Sequence, residues 1–466
     1  MPVPIRSATA SLNSRVSNGD ARPDDRLALL DQAFYAGHRA AGQNEVMQVV
    51  WLYEHAIDFD AVRRFYRNLG YGLLGRRIER SPLPFARYRW VSDRGPDIDF
   101  AERARPRAEL SDWADERARL PIDPEWGPGW HMGVLPLTDG STAFSLVMSH
   151  CLVDGFGAFA TIVDAVKGNV RDFGYPAPRS RTRGRAIASD LRETLQGAPE
   201  VARALGPAAK LLLRSRRDRA RPATSRPTAI LGDGEDGDVV VPAIQIYVDL
   251  GDWDARAKTL GGTSQSLLVG FAAKLGERMG RRRTEDGAVA LLLPVSDRTP
   301  DDTRANAATL TSIRVDPTQV TTDLSGTRAL LVEAWWASRE ASDEVGQLLP
   351  LIPFVPKRMV KRGTSALFDF TDLPVSCSSL GNVDPAVGRA DGTDAEYIML
   401  RGVDRRVTRQ ALEQRGGILT VVGGRILGKM CITVVAYQPG EENSKSHLRE
   451  LAAHALAEFD LTGKID

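Results

Sequence analysis

The chain has 466 residues, of which 42% are hydrophobic and 26% charged, and its formal net charge is +1. This length exceeds one ordinary hydrophobic core and suits two domains of roughly 200 residues each. The balanced charge gives no global argument for nucleic acid or acidic substrates, and no apolar run approaches the roughly 20 residues a spanning helix needs.

Residues 1–25 are rich in Ser, Arg and Asp without an apolar segment, and read as a disordered tail, not a signal peptide. Leu27, Leu29, Leu30, Ala33 and Phe34 give a short helical stripe, and Val46 to Tyr53 is β-branched and aromatic, as in a strand. Asp58 is placed to cap a helix carrying Ala61, Val62, Phe65 and Leu69. The apolar runs His131–Pro136 and Ala143–Met148 flank a connection of hairpin length, and Phe156 to Val166 has helical spacing. Residues 26–175 thus form a first domain.

Residues 176–240 read as a basic crossover. Arg179, Arg181, Arg183 and Arg185 crowd one end, Arg214, Arg216, Arg217, Arg219 and Arg221 the other, and helical patterning lies only between them. A flexible stretch, Gly232 to Gly237, follows. The second domain, 241–466, repeats the vocabulary of strands and helices, from a strand at Ala243–Leu250 to a closing helix at Ser446–Phe459. The predicted class is α/β, with mixed sheets in two similar halves. Cys151, Cys377 and Cys431 are sparse and far apart, so neither a disulfide framework nor a metal pair is expected, and a reducing cytoplasm is the default. His447 and His454 share a helix face, but nothing acidic or thiolate completes a metal set.

The segment that carries chemistry is Phe144 to Phe156, where a strand runs into Ser149–His150 and turns at Asp154–Gly155 into a helix. A neutral imidazole at a strand end can take a proton from an alcohol or amine as it attacks a carbonyl. On spacing alone, a histidine such as His150, at a strand end and followed by Asp-Gly, is more often a satisfied turn histidine. Ser149 forms no dyad with it, since neighbours on a strand face opposite ways. Cys151 reads as a small core hydrophobe. Asp154 is placed to hold the turn, and Gly155 to supply backbone freedom.

Ser149 to Gly155 resembles the His-His-x-x-x-Asp-Gly motif of the CoA-dependent acyltransferase superfamily, which includes chloramphenicol acetyltransferase, peptide-synthetase condensation domains and wax ester synthases. Further segments fall in the same order. Leu30 to Phe34 resembles the opening Leu-Asp-x-x-Phe, and Gly127 to Trp130 a Pro-Leu-Trp segment. Pro294 to Arg298 with Asn306 is similar to Pro-Val-Ser-x-Arg and a later Asn. Leu349 to Pro353 and Ser378 to Val383 resemble an apolar region and the Ser/Thr-Asn-Val segment after it. The resemblance implies two chloramphenicol-acetyltransferase-like domains with a tunnel between them and His150 at its centre.

It further implies His150 as general base and a structural ion pair between Asp154 and Arg298. Candidate substrate or oxyanion contacts are Ser149, Trp130, Asn306, Ser378 and Ser379, with backbone N–H groups near Gly155 an alternative for the oxyanion. Ser149 stands where the family has its first His, a departure that leaves a non-catalytic binding module open. The implied reaction moves an acyl group from acyl-CoA or a phosphopantetheine thioester to a hydroxyl or amine, with no permanently bound cofactor. The implied partners are a small-molecule donor and acceptor or, for a free-standing condensation enzyme, an acyl or peptidyl carrier protein; neither nucleic acid nor more than peripheral membrane contact is implied. The arginine groups read as contacts for phosphates or a carrier protein, or as a solvated linker. Leu348 to Phe354 with Lys357, Arg358, Lys361 and Arg362 reads as an acyl-channel wall, a lipid-facing segment, or core followed by surface.

Overall fold

The computed structural model describes residues 24–41, 44–218, 238–355, 373–405 and 407–466. The tail residues 1–23, Gly232 to Gly237, and the basic run Lys357 to Arg362 lie outside this set, as do the side chains of the second arginine group.

The first lobe opens with α1 (Leu29–Ala41), β1 (Asn44–Tyr53) and α2 (Phe59–Leu69). Asp58 caps α2 by accepting from the Asp60 and Ala61 N–H groups, and Val62, Phe65 and Leu69 form its buried face. A ribbon of β2 (Arg76–Glu79) and β3 (Arg89–Ser92) precedes β4 (Asp99–Phe100) and α3 (Leu110–Arg119). Then β5 (Trp130–Pro136) and β6 (Thr142–Ser149) pair as an antiparallel hairpin, and α4 (Gly155–Lys167) follows. Between the two arginine groups stand α5 (Arg183–Gln196) and α6 (Ala198–Asp218).

The second lobe contains β7 (Ala243–Asp249), α7 (Leu250–Thr259), α8 (Ser264–Arg278), β8 (Val289–Ser296), β9 (Ala308–Val315) and α9 (Ser325–Gly346). After these come β10 (Val375–Asn382), β11 (Tyr397–Arg405), α10 (Arg409–Gln414), β12 (Ile418–Ile426), β13 (Lys429–Tyr437), α11 (Lys445–Ala457) and β14 (Lys464–Ile465). Seven strands form one sheet in the order β14-β7-β13-β12-β10-β8-β9. Its core is built by Leu267, Phe271, Leu291, Val375, Val421 and Ile432, all buried. A Thr263–Ser266 capping box starts α8 along that core.

The first-lobe sheet has the order β11-β1-β6-β5-β4. Tyr397–Arg405 therefore completes the first lobe, although the sequence division assigns it to the second. Its Arg401 and Arg405 hide the affiliation: both are buried, Arg401 held by Asp115 and by the Gln48 Oε1, Arg405 donating to the Ile122 and Arg119 carbonyls. The preceding segment also crosses over, for Trp51 Nε1 donates to the Val387 carbonyl and Tyr53 Oη to that of Gly388. The two lobes share a core, in which Tyr247, Ile426 and Cys431 pack among first-lobe residues.

β6 is a central strand, between β1 and β5, and its residues from Ala143 to Ser149 are buried. A largely apolar run suits a strand covered on both faces, and its one interior polar residue, Ser145, accepts from Gln48 Nε2. The apolar Leu349–Phe354 is a half-buried 3₁₀ turn on α1 and α6, where Phe354 stacks on Phe85 at 6.3 Å. It packs across the lobes, a contact the sequence does not disclose. In the first arginine group, Arg181 pairs with the buried Asp190, and the Arg179 N–H donates to Glu79.

Candidate active site

β6 delivers His150 to the edge of the first lobe, where a loop of the second lobe crosses it. That loop, residues 297–307, connects β8 and β9. The His150 N–H donates to the Glu45 carbonyl at 3.1 Å, and Asn306 Nδ2 reaches the His150 carbonyl at 3.4 Å. The imidazole lies against Phe34 of α1, with ring centroids 5.0 Å apart, and Phe34 also meets His38 at 4.2 Å. The Nδ1 of His150 is buried and makes no hydrogen bond among the described residues. The ring is thus placed by its backbone and by packing against Phe34, not by a hydrogen bond to Nδ1.

Asp154 and Arg298 join the lobes. Arg298 Nε donates to Asp154 Oδ1 at 3.1 Å and Nη2 to Oδ2 at 2.9 Å, a bidentate geometry. Asp154 also accepts from the Gly157 N–H at 2.7 Å, which caps α4, and from the Ala307 N–H at 2.8 Å. Four donors therefore occupy its two oxygens. Arg298 spends its other N–H groups on the carbonyls of Asp302, Arg304 and Ala305. Neither side chain exceeds 9% exposure.

The glycine that this packing demands is Gly157. A Cβ there would stand 2.8 Å from Val153, 3.0 Å from Leu73 and 3.1 Å from the Arg298 guanidinium carbon. At Gly155 a Cβ would meet only Leu380, at 3.6 Å, and φ is not positive. The backbone freedom expected of Gly155 is therefore not used, because the residue starts α4 in a conformation open to any side chain.

Two residues of this junction have no assigned role in the sequence reading. Asp31 accepts from the Ala305 and Asn306 N–H groups, both at 2.8 Å. Burial pushes its carboxyl above the ordinary carboxylate range, while those two N–H groups pull it down. Arg76 is fully buried, stacks over Trp90, and donates to the Thr303 and Leu152 carbonyls. Asp31 sits in the Leu-Asp-x-x-Phe segment, whose recurrence was its one signal. Arg76 left none.

The other candidates fall apart spatially. Trp130 is buried in the first lobe, its Nε1 donating to the Leu74 carbonyl and its ring against Gly95, where a Cβ would approach to 2.4 Å. It is a packing residue, not a substrate contact. Ser149 is buried, and its Oγ accepts from the Cys151 N–H at 3.3 Å, holding the turn. Ser379 lines the large cleft; its neighbour Ser378 does not. Burial pushes each of the three cysteine thiols up to about 12, so none is a thiolate near neutrality.

The cleft, of about 840 Å³, lies between the lobes on the Arg298 side. α4 contributes Phe156 and Ala160, and the second lobe Val269, Leu293, Leu331 and Trp335, with Ser296, Arg298 and Ser379 as polar points. His150 is not among its lining residues. The cleft is lined mainly by apolar side chains and meets the Asp154–Arg298 junction at Arg298.

His131 belongs to packing. It is buried on β5, where Arg117 Nη2 approaches its Nδ1 at 3.1 Å. Burial first, and the Arg117 charge second, hold its imidazolium down to about 3. The unfolded chain protonates this residue near the ordinary value of about 6.5. Between those values the unfolded state binds more protons, so stability falls as pH drops from about 6.5 toward 3, by up to about 1.4 kcal/mol per pH unit. Urea unfolding at stepped pH should show this slope in the wild type and a shallower one in His131→Asn. Equal slopes would remove His131 as the cause.

Two mixed-sheet lobes, joined at a strand-end histidine and an Asp–Arg pair, define the class: the chain has the CoA-dependent acyltransferase, or condensation-domain, fold. Residues 67–234 match the family model for the wax ester synthase/diacylglycerol acyltransferase catalytic domain. The wax ester synthase/diacylglycerol acyltransferase from Marinobacter aquaeolei VT8 superposes with a TM-score of 0.50 at 15% identity, covering 93% of this chain and 98% of that one. The first condensation domain of the CDA synthetase gives 0.52 at 12% identity, over 96% and 100%. The nonribosomal peptide synthetase FmoA3, bound to alpha-methyl-L-serine-AMP, gives 0.50 at 15% identity; 95% of this chain is covered, but only 45% of that longer one. No curated protein sequence matches the chain.

Proposed function

We propose that the protein is an acyltransferase that moves an acyl group from a thioester, acyl-CoA in the first instance, to a hydroxyl or amine, with His150 as general base. The observation that carries this reading is the placement of His150: it directly follows the end of a central strand at the junction of the lobes, with a buried Nδ1 that no group among the described residues hydrogen-bonds. The imidazole takes the proton of the acceptor as its oxygen or nitrogen attacks the thioester carbonyl. The tetrahedral oxyanion collapses, the C–S bond breaks, and the imidazolium returns the proton to the departing thiolate. No acyl-enzyme is required. Asp154 and Arg298 are positioning residues, fixing the loop whose Asn306 touches His150. The apolar cleft is the proposed seat of the acyl chain, with Phe156, Leu293 and Trp335 against it.

A panel of acyl-CoAs with simple alcohols and amines, followed by free-thiol release, tests the reading. Release that depends on the acceptor is expected. No release from any CoA donor would sink acyl-CoA as co-substrate, and a phosphopantetheinyl carrier protein would then be the donor to load. Failure with both would leave the binding-module reading.

A further inference from the structure

One face of α1 carries Asp31, Phe34 and His38, at spacings of three and four that place them on successive turns. Each meets the junction that holds His150. Asp31 accepts from the Ala305 and Asn306 N–H groups, and Asn306 Nδ2 in turn reaches the His150 carbonyl. Phe34 meets two imidazoles, that of His150 at 5.0 Å and that of His38 at 4.2 Å between ring centroids. His38 Nε2 faces the Glu45 carboxylate at 3.8 Å, and the carbonyl of the same Glu45 accepts from the His150 N–H. The contacts close on themselves, running from His150 through Phe34, His38 and Glu45 back to His150.

A general base is ordinarily oriented by a third group that hydrogen-bonds its second nitrogen. Among the described residues nothing bonds the Nδ1 of His150, so the plane of its ring depends on Phe34. Phe34 is itself only half-buried, and the His38 ring, one turn further along α1, backs it. Burial holds the His38 imidazolium below the ordinary histidine range against the pull of the Glu45 carboxylate, and the charge of His150 lowers it further. The ring against Phe34 is therefore neutral near pH 7 and adds no charge that opposes a proton on His150. From this closed set of contacts we infer that His38 is a positioning residue for the His150 base: acting through Phe34, it fixes the imidazole plane that a hydrogen bond to Nδ1 fixes in other sites. The consequence for turnover rests on the acyltransferase reading; the placement of the ring does not.

Two readouts on the full chain test it, and only the first needs acyl transfer. In acceptor-dependent thiol release, His38→Ala is expected to lower kcat by about tenfold or more, with KM within about twofold of wild type, as for a misaligned base in an intact binding site. His38→Phe keeps an aromatic ring against Phe34 and should hold kcat within a few-fold of wild type. In a Phe34→Ala background, His38→Ala should cause no further loss, because its effect passes through that ring. The second readout is NMR of the imidazole C–H groups, with the His150 signal assigned by its loss in His150→Ala. That signal should be displaced in His38→Ala and stay near its wild-type position in His38→Phe. A wild-type kcat or an unmoved His150 signal in His38→Ala would overturn the inference. So would an equal further loss in the Phe34→Ala background, which would make His38 act directly. A wild-type kcat in His150→Ala would instead sink the base assignment, and the NMR signal would alone decide the placement.

Discussion

Asp154→Ala is expected to destabilise the protein by about 3–5 kcal/mol, since removing one partner of a buried ion pair leaves the other charge uncompensated. Arg298 is the charge left behind, at 7% side-chain exposure, and the substitution also removes the acceptors of the Gly157 and Ala307 N–H groups. Asp154→Asn separates these contributions: an amide oxygen can still cap α4 but carries no charge for Arg298. Replacing both members, as in Asp154→Leu with Arg298→Leu, should cost less than the sum of the single changes, because no buried charge then remains. Denaturant midpoints measure each variant, the single Asp154→Leu and Arg298→Leu changes included, beside wild type. An Asp154→Ala variant within about 1 kcal/mol of wild type would mean the pair does not hold the lobes together, as a solvated pair would not.

His150→Ala should lower turnover by about a hundred- to ten-thousand-fold, the usual cost of removing a general base. Its effect on stability should be small, because among the described residues the buried Nδ1 makes no hydrogen bond whose loss would strand a partner. His150→Gln, which keeps polarity and approximate size, should be as inactive as the alanine variant. Ser149→Ala should change turnover only a few-fold, since its Oγ bonds to the Cys151 N–H and holds the turn. Turnover and melting read together separate a lost base from a lost fold.

Much of this architecture is legible in the residues. The largely apolar run of β6, the Asp58 cap of α2 and the Leu137–Ser141 connection are local, and local chemistry fixes them. Residues 154 and 298 are 144 positions apart, and the family motifs, not any periodicity, bring them together on the page before the fold does. What stays illegible is non-local. Tyr397–Arg405 crosses to the other lobe with two buried arginines, a composition that reads as surface. Asp31 and Arg76 work by meeting backbone groups of the 297–307 loop, and a backbone partner leaves no mark in a side-chain pattern. Trp130 looks like a ligand contact by its motif and is a core residue by its burial, because Gly95 clears a place for it.

The central claim is that the His150 imidazole moves the proton in acyl transfer, and the rate of acceptor-dependent thiol release by His150→Ala beside wild type tests it most directly. The account predicts a loss of at least about a hundredfold with the fold and the Asp154–Arg298 junction intact. Release at the wild-type rate in a folded His150→Ala protein would contradict it, and would require the base to be sought among other groups of the junction.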